Sequence, residues 1–168
     1  MIFDKAIQIV TKINFILSII SEMIVIQNED SDSRIEEKNL QTILDSVLMK
    51  IDKSDYEVVF SFVSPEEIHQ LNKDYRLQDK PTNVLSFENE SPDEVDLKLL
   101  GDVIICTDIV ESESIEQNKT FSDHLTHIAI HGLLHLIGYD HIDDKDAEIM
   151  EAFEVELLGS FGIRNPYL

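Results

Sequence analysis

Three histidines spaced His131-x-x-x-His135-x-x-Gly138-x-x-His141 limit the fold of this chain more than any other feature. Positions four apart project from one face of a helix, so a helix through 131–135 points two imidazoles at one metal ion. Gly138 lets the chain leave that helix through a conformation other residues resist, and the turn brings His141 round as a third ligand. Three neutral imidazoles leave a fourth coordination position open, which separates a catalytic zinc site from a structural one. A lone His on an apolar helix face is ordinarily a packed or surface residue. Here two imidazoles sit among Ile130, Leu133, Leu134, Leu136 and Ile137, where each needs a polar partner and one ion serves both. The spacing therefore predicts a metal ion held by His131, His135 and His141.

The same spacing occurs in the metzincin proteases, which carry a Glu directly after the first His. That Glu is the general base for attack on a peptide, and in this chain the position is Gly132. A metallopeptidase is thus a rival reading that lacks its base. A non-catalytic assembly factor with structural zinc is a second rival, opposed by the open coordination position. His124 and His127, seven and four residues before His131, fall near one stripe and suit a supporting or solvated role better than ligation. His69 stands alone and carries no functional reading.

The rest of the chain alternates strand-like and helix-like segments. Met23–Gln27 reads as a first strand. Ser33-Arg34-Ile35-Glu36 has capping-box form before a helix carrying Leu40, Ile43, Leu44, Val47, Leu48 and Ile51. Tyr56–Val63 alternates as a second strand, and Ser64-Pro65-Glu66-Glu67 opens a helix toward Tyr75. Val84–Phe87 and Asp102–Thr107 are further strands on either side of an acidic loop at 88–99. Helices follow at about Asp108–Gln117, from a Ser122 cap to Ile137, and at about Asp143–Leu158. Strands early and helices late predict an α+β domain: a small mixed sheet of about four strands packed with about five helices.

The chain has 168 residues, room for one domain over 21–168 with a helical N-terminal extension over 1–20. The apolar stretch Ile13–Ser21 is too short to span a membrane, which takes about 20 residues, and no small-residue cleavage site follows it. A single cysteine, Cys106, forms no internal disulfide, and a cytoplasmic protein with no membrane partner is expected. The net charge of −21, from 34 acids against 13 Lys and Arg, argues against a general polyanion binder.

With these residues in view, the chain resembles the YbeY family of metal-dependent endoribonucleases of bacterial ribosomal RNA maturation. The resemblance is carried by H-G-L-L-H-L-I-G-Y-D-H at 131–141, L-N-K-D-Y-R at 71–76, D-K-P-T-N-V-L-S-F at 79–87, L-G-D-V-I-I-C at 100–106 and Pro166-Tyr167. It implies an α+β fold, one zinc on the three histidines, and cleavage of single-stranded RNA. It also implies work on the small-subunit ribosomal RNA 3′ end and in ribosome quality control, with the small subunit and assembly factors as partners. Arg76 matches the arginine of the family's N-x-x-Y-R motif, and a guanidinium fork suits phosphate oxygens beside a metal. Lys73 and Lys80 flank it as candidate contacts to the RNA backbone. Leu77 and Glu88 stand where the family commonly has Gly and Pro, and residues 1–20 lie outside the resemblance.

The resemblance changes how the charge is read. Residues 88–116 hold ten acids and one Lys, residues 140–156 eight acids and one Lys, whereas 68–87 carries +1. A locally positive site on an acidic protein predicts weak non-specific nucleic-acid binding, with selectivity supplied by the ribosomal context.

Overall fold

The structure, a computed structural model, describes residues 23–89, 98–141 and 143–168. The expected N-terminal helix and most of the acidic loop at 88–99 lie outside the described residues.

Four strands, β1 (Ile24–Gln27), β2 (Glu57–Phe62), β3 (Val84–Glu88) and β4 (Leu99–Ile105), form one sheet in the order β1-β2-β4-β3. The first three in that order run parallel, and β3 pairs antiparallel with β4 at the edge. Five helices accompany them: α1 (Glu37–Lys50), α2 (Pro65–Arg76), α3 (Thr107–Glu116), α4 (Phe121–Leu136) and α5 (Asp144–Gly159). The architecture is the mixed-sheet α+β domain that the segment pattern predicts.

Alternation builds the sheet's inner face. Val58, Phe60 and Phe62 of β2 and Val103 and Ile105 of β4 are buried, with their neighbours turned outward. α1 covers that face with Leu40, Leu44, Val47 and Leu48 at helical spacing. α4 runs through the middle, packed on β3, β4, α3 and α5, so its core residues Ala129, Ile130, Leu133 and Leu134 are wholly buried. Each buried Ile or Leu side chain among them contributes about 1.5–3 kcal/mol relative to exposure. The histidine helix is therefore packed on sheet and helices alike, a rigid base for a site.

Helix starts follow the sequence in one case and depart in two. At α2, Ser64 caps the helix as its sequence predicts, and the cap is reciprocal: Ser64 Oγ accepts from the Glu67 N–H at 3.2 Å and Glu67 Oε2 accepts from the Ser64 N–H at 2.9 Å. At α1 the S-x-x-E box does not form, and the helix begins after Glu36 with no side-chain cap. Arg34, inside that box, is engaged elsewhere: its guanidinium reaches Asp32 at 2.6 Å, Asp108 at 2.8 Å and Glu111 at 2.5 Å. Ionic bonds across more than 70 residues thus outweigh a local cap. At α4 the cap is Thr120, whose extended backbone lets Oγ1 accept from the Asp123 N–H at 3.1 Å; Ser122 lies within the first turn. β4 also begins earlier than expected, because Gly101 at φ +145° lets β3 come close: a Cβ there would meet Phe87 O at 2.1 Å.

Candidate metal centre and its cleft

α4 presents His131 and His135 one turn apart, and the helix ends at Leu136. Gly138, at φ +89°, then reverses the chain, with its N–H bonded to the His135 carbonyl at 3.0 Å and that of Tyr139 to Leu134 at 3.1 Å. Asp140 Oδ1 accepts the His141 N–H at 2.7 Å and Tyr139 stacks near Phe153, so both residues shape the turn that carries the third imidazole.

One nitrogen from each of His131, His135 and His141 lies within 4.8 Å of the others. The Nε2 atoms of His131 and His135 are 3.1 Å apart. Tetrahedral zinc–nitrogen bonds of about 2.0–2.1 Å set neighbouring donors roughly 3.3 Å apart, close to this spacing. Burial, and then the neighbouring His131 and His141 imidazoles, push His135 below the usual histidine range, which favours the neutral, ligating form. By donor set and spacing the residues fit a zinc ion.

His131 is also held from behind. Glu154 of α5, fully buried, accepts from His131 Nδ1 at 2.7 Å, which fixes the tautomer and leaves Nε2 facing the cleft. Burial alone would raise the Glu154 carboxyl. The neighbouring His127, His131 and Tyr167 overcome that and hold it down at about 2, so the carboxylate is charged at neutral pH. At 3.5 Å, His127 Nε2 is an ionic-range neighbour of Glu154 rather than a hydrogen-bond donor to it. Sequence reasoning did not find Glu154, which sits in a run of acids. Its signal is positional: it falls between Met150 and Leu158 on the apolar stripe of α5, where an acid needs a buried partner.

The histidines open onto a cleft of about 550 Å³ lined also by Arg76, Thr82, Asn83, Ser86, Glu88 and Asp140. Arg76 is exposed at the end of α2 and is the one Lys or Arg among the described residues lining it. The loop after it is folded back by Asn72, which is buried and donates from Nδ2 to the Lys80 carbonyl at 2.7 Å. Leu77 takes the left-handed conformation, φ 58° and ψ 28°, at the helix end. The two lysines lie elsewhere: Lys73 pairs with Asp79 at 3.0 Å, and neither Lys73 nor Lys80 lines the cleft. Asn83 forms part of the wall and is fixed by Glu113, which in turn accepts from His124 Nε2 at 2.8 Å. His124 is therefore a buried support, and His127 is half-buried beside Glu154 with no hydrogen bond to it. His69 bonds to Asp79 at 2.8 Å.

The position after the first metal histidine is closed to a peptidase base. A Cβ on Gly132 would approach Val103 Cγ1 to 2.5 Å, because this residue faces the sheet. Among the described residues, no helix is long and apolar enough to cross a membrane.

Fold and site together define the class, an α+β domain whose central helix and following turn bring three imidazoles to an open polar cleft. Comparison with known proteins narrows it. The family described as Endoribonuclease YbeY matches residues 25–162. Two proteins of that name, from Ruthia magnifica subsp. Calyptogena magnifica and Vesicomyosocius okutanii subsp. Calyptogena okutanii, are 54% and 50% identical to this chain over 145 residues, covering 86% of it and 100% of each relative. Another, from Colwellia psychrerythraea, is 48% identical over 134 residues, 78% of this chain and 86% of the relative. The solution structure of a Thermotoga maritima protein superposes with a TM-score of 0.56 at 35% identity, covering 83% of this chain and 91% of that one. The chain belongs to the endoribonuclease YbeY family.

Proposed function

We propose that this protein is a zinc-dependent endoribonuclease that cleaves single-stranded RNA, acting at the 3′ end of small-subunit ribosomal RNA and in ribosome quality control. The observation that carries the reading is the convergence of His131, His135, His141 and Arg76 on one cleft in a chain of this family. The ribosomal small subunit and its assembly factors are the partners that fit it, in the cytoplasm.

Bound by the three imidazoles, zinc supplies Lewis acidity to the scissile phosphate and the attacking oxygen. The chain's own residues do the rest. Arg76, with no ionic partner among the described residues, has its donors free for phosphate oxygens and for the charge that develops on them. Glu154 keeps a proton on His131 Nδ1, so that Nε2 offers its lone pair to the cleft. Asn83, Thr82 and Ser86 line the same cleft with hydrogen-bonding groups suited to ribose and base edges.

The test is RNA cleavage by the purified protein with and without a chelator, beside a His131→Ala variant. Cleavage lost on chelation, restored by zinc, and absent together with bound zinc in the variant supports the reading. Full nuclease activity in metal-free His131→Ala protein refutes it. The structural-zinc alternative predicts a fourth protein ligand in X-ray absorption, and a metallopeptidase predicts casein cleavage; the crowding at Gly132 opposes the latter.

A further inference from the structure

Pro166-Tyr167 lies beyond the residues 25–162 that the family matches and has no part in the reaction proposed above, yet it is tied to the candidate metal centre. Tyr167 Oη donates to Glu154 Oε2, while Oε1 of the same carboxylate accepts from His131 Nδ1 at 2.7 Å. A continuous chain therefore runs from the tail, through a wholly buried carboxylate, to a metal-facing imidazole. The tail is itself pinned: Lys119 Nζ donates to the Pro166 carbonyl at 2.7 Å and the Tyr167 N–H to Asn165 Oδ1 at 2.9 Å. The Tyr167 ring meets His127 edge-on, centroids 5.8 Å apart.

We infer that Tyr167 is a positioning residue for the metal centre, acting through Glu154. The inference rests on the reading of His131, His135 and His141 as zinc ligands. The physical need is plain from the surroundings of Glu154. A carboxylate with two oxygens and one imidazole on Oε1 is free to rotate toward His127 Nε2, which lies 3.5 Å from Oε2 and has no hydrogen-bond partner. The Tyr167 hydroxyl occupies Oε2 and holds the plane of the carboxylate against that rotation. His131 then keeps its Nδ1–H donated to Glu154 and its Nε2 lone pair directed into the cleft. Carboxylates behind metal-bound histidines act in this way, and changing them typically weakens metal binding about 10–100-fold.

The test compares Tyr167→Phe, Glu154→Gln and the double variant with the unmodified protein. Zinc affinity is read by competition with a chromophoric chelator, and the geometry by the visible spectrum of the cobalt-substituted protein. Phe keeps the ring and removes only the hydroxyl, and the tautomer of His131, read from imidazole ¹⁵N shifts without metal, gives a second measurement independent of zinc. Glu154→Gln is expected to weaken zinc about 10–100-fold. Tyr167→Phe is expected to weaken it several-fold, alter the cobalt spectrum and mix the His131 tautomers, yet add nothing in the Glu154→Gln background. Unchanged zinc affinity and tautomer in Tyr167→Phe, or an equal further loss in the double variant, overturns the inference. His131→Ala is the control: if it still takes up zinc, the metal reading itself fails, whereas zinc loss there with an unaffected Tyr167→Phe overturns this inference alone.

Discussion

Gly132 lies directly against Val103: a Cβ added to the glycine would stand 2.5 Å from Val103 Cγ1 and 3.2 Å from both Ser86 Oγ and Val84 Cγ2. Ser86 Oγ also donates to the Gly132 carbonyl at 2.9 Å, so the histidine helix is drawn onto β3 and β4 at this point. Val103 is fully buried and has nowhere to go. Gly132→Ala is expected to cost about 1–3 kcal/mol, as overpacked cores do. For a domain of this size that lowers the melting temperature by roughly 3–10 °C. An unaltered thermal melt would contradict the packing described.

This contact also marks how far the sequence can be read. The clustering of His131, His135 and His141 was legible because helical periodicity and a glycine stop are local rules, and so was α2, whose cap and proline are all within four residues. What the sequence concealed is held together at a distance. Glu154 reaches His131 across 23 residues from a segment crowded with acids, so its burial, not its identity, distinguishes it. Gly132 reads from sequence as the gap left by a missing base, whereas in the fold it is the place where helix and sheet touch. The S-x-x-E pattern before α1 misled for the same reason, since Arg34 belongs to an ionic cluster made mostly by α3.

That cluster gives a pH dependence. The Arg34 guanidinium beside Asp32 holds its carboxyl down at about 2. A folded pKa below the unfolded one stabilises the protein at pH values above the unfolded value, and the contribution disappears as pH falls through the folded value. Arg34→Met is therefore expected to destabilise the protein by about 1–2 kcal/mol at pH 7, allowing for partial exposure of the pair. The gap between variant and parent should narrow from about pH 4 down to pH 2. Urea titrations at pH 7, 4 and 2.5 measure it, and a constant gap would exclude the cause given.

Leu77 occupies a left-handed position at φ 58° with its side chain in solvent, 89% exposed. Nothing repays the steric cost of that backbone for a residue with a Cβ. Leu77→Gly should stabilise the protein by about 0.5–1 kcal/mol after the greater freedom of glycine in the unfolded chain is allowed for. The corresponding rise in melting temperature is about 1–4 °C, with zinc binding unchanged. A fall in melting temperature would mean that Leu77 makes a contact outweighing its backbone.

Arg76 is the one Lys or Arg among the described residues lining the cleft, which Glu88 and Asp140 also line. Single-strand affinity falls with salt by roughly 0.7 log units per log unit for each phosphate contact, so few contacts mean a shallow slope. The zinc-loaded protein should bind arbitrary RNA weakly, with a slope of about −1 to −2, and Arg76→Ala should reduce that slope by about 0.7. In cleavage assays Arg76→Ala should lower kcat by about 10²–10³, the scale for losing one preorganised group that meets developing charge. Its zinc content should not change, because Arg76 is not among the three clustered ligands. Arg76→Lys restores the charge but not the planar two-pronged donor, so recovery should be incomplete. Tight binding to any sequence with a slope steeper than about −4 would require a basic surface far larger than this cleft, and would assign RNA recognition to another face of the molecule.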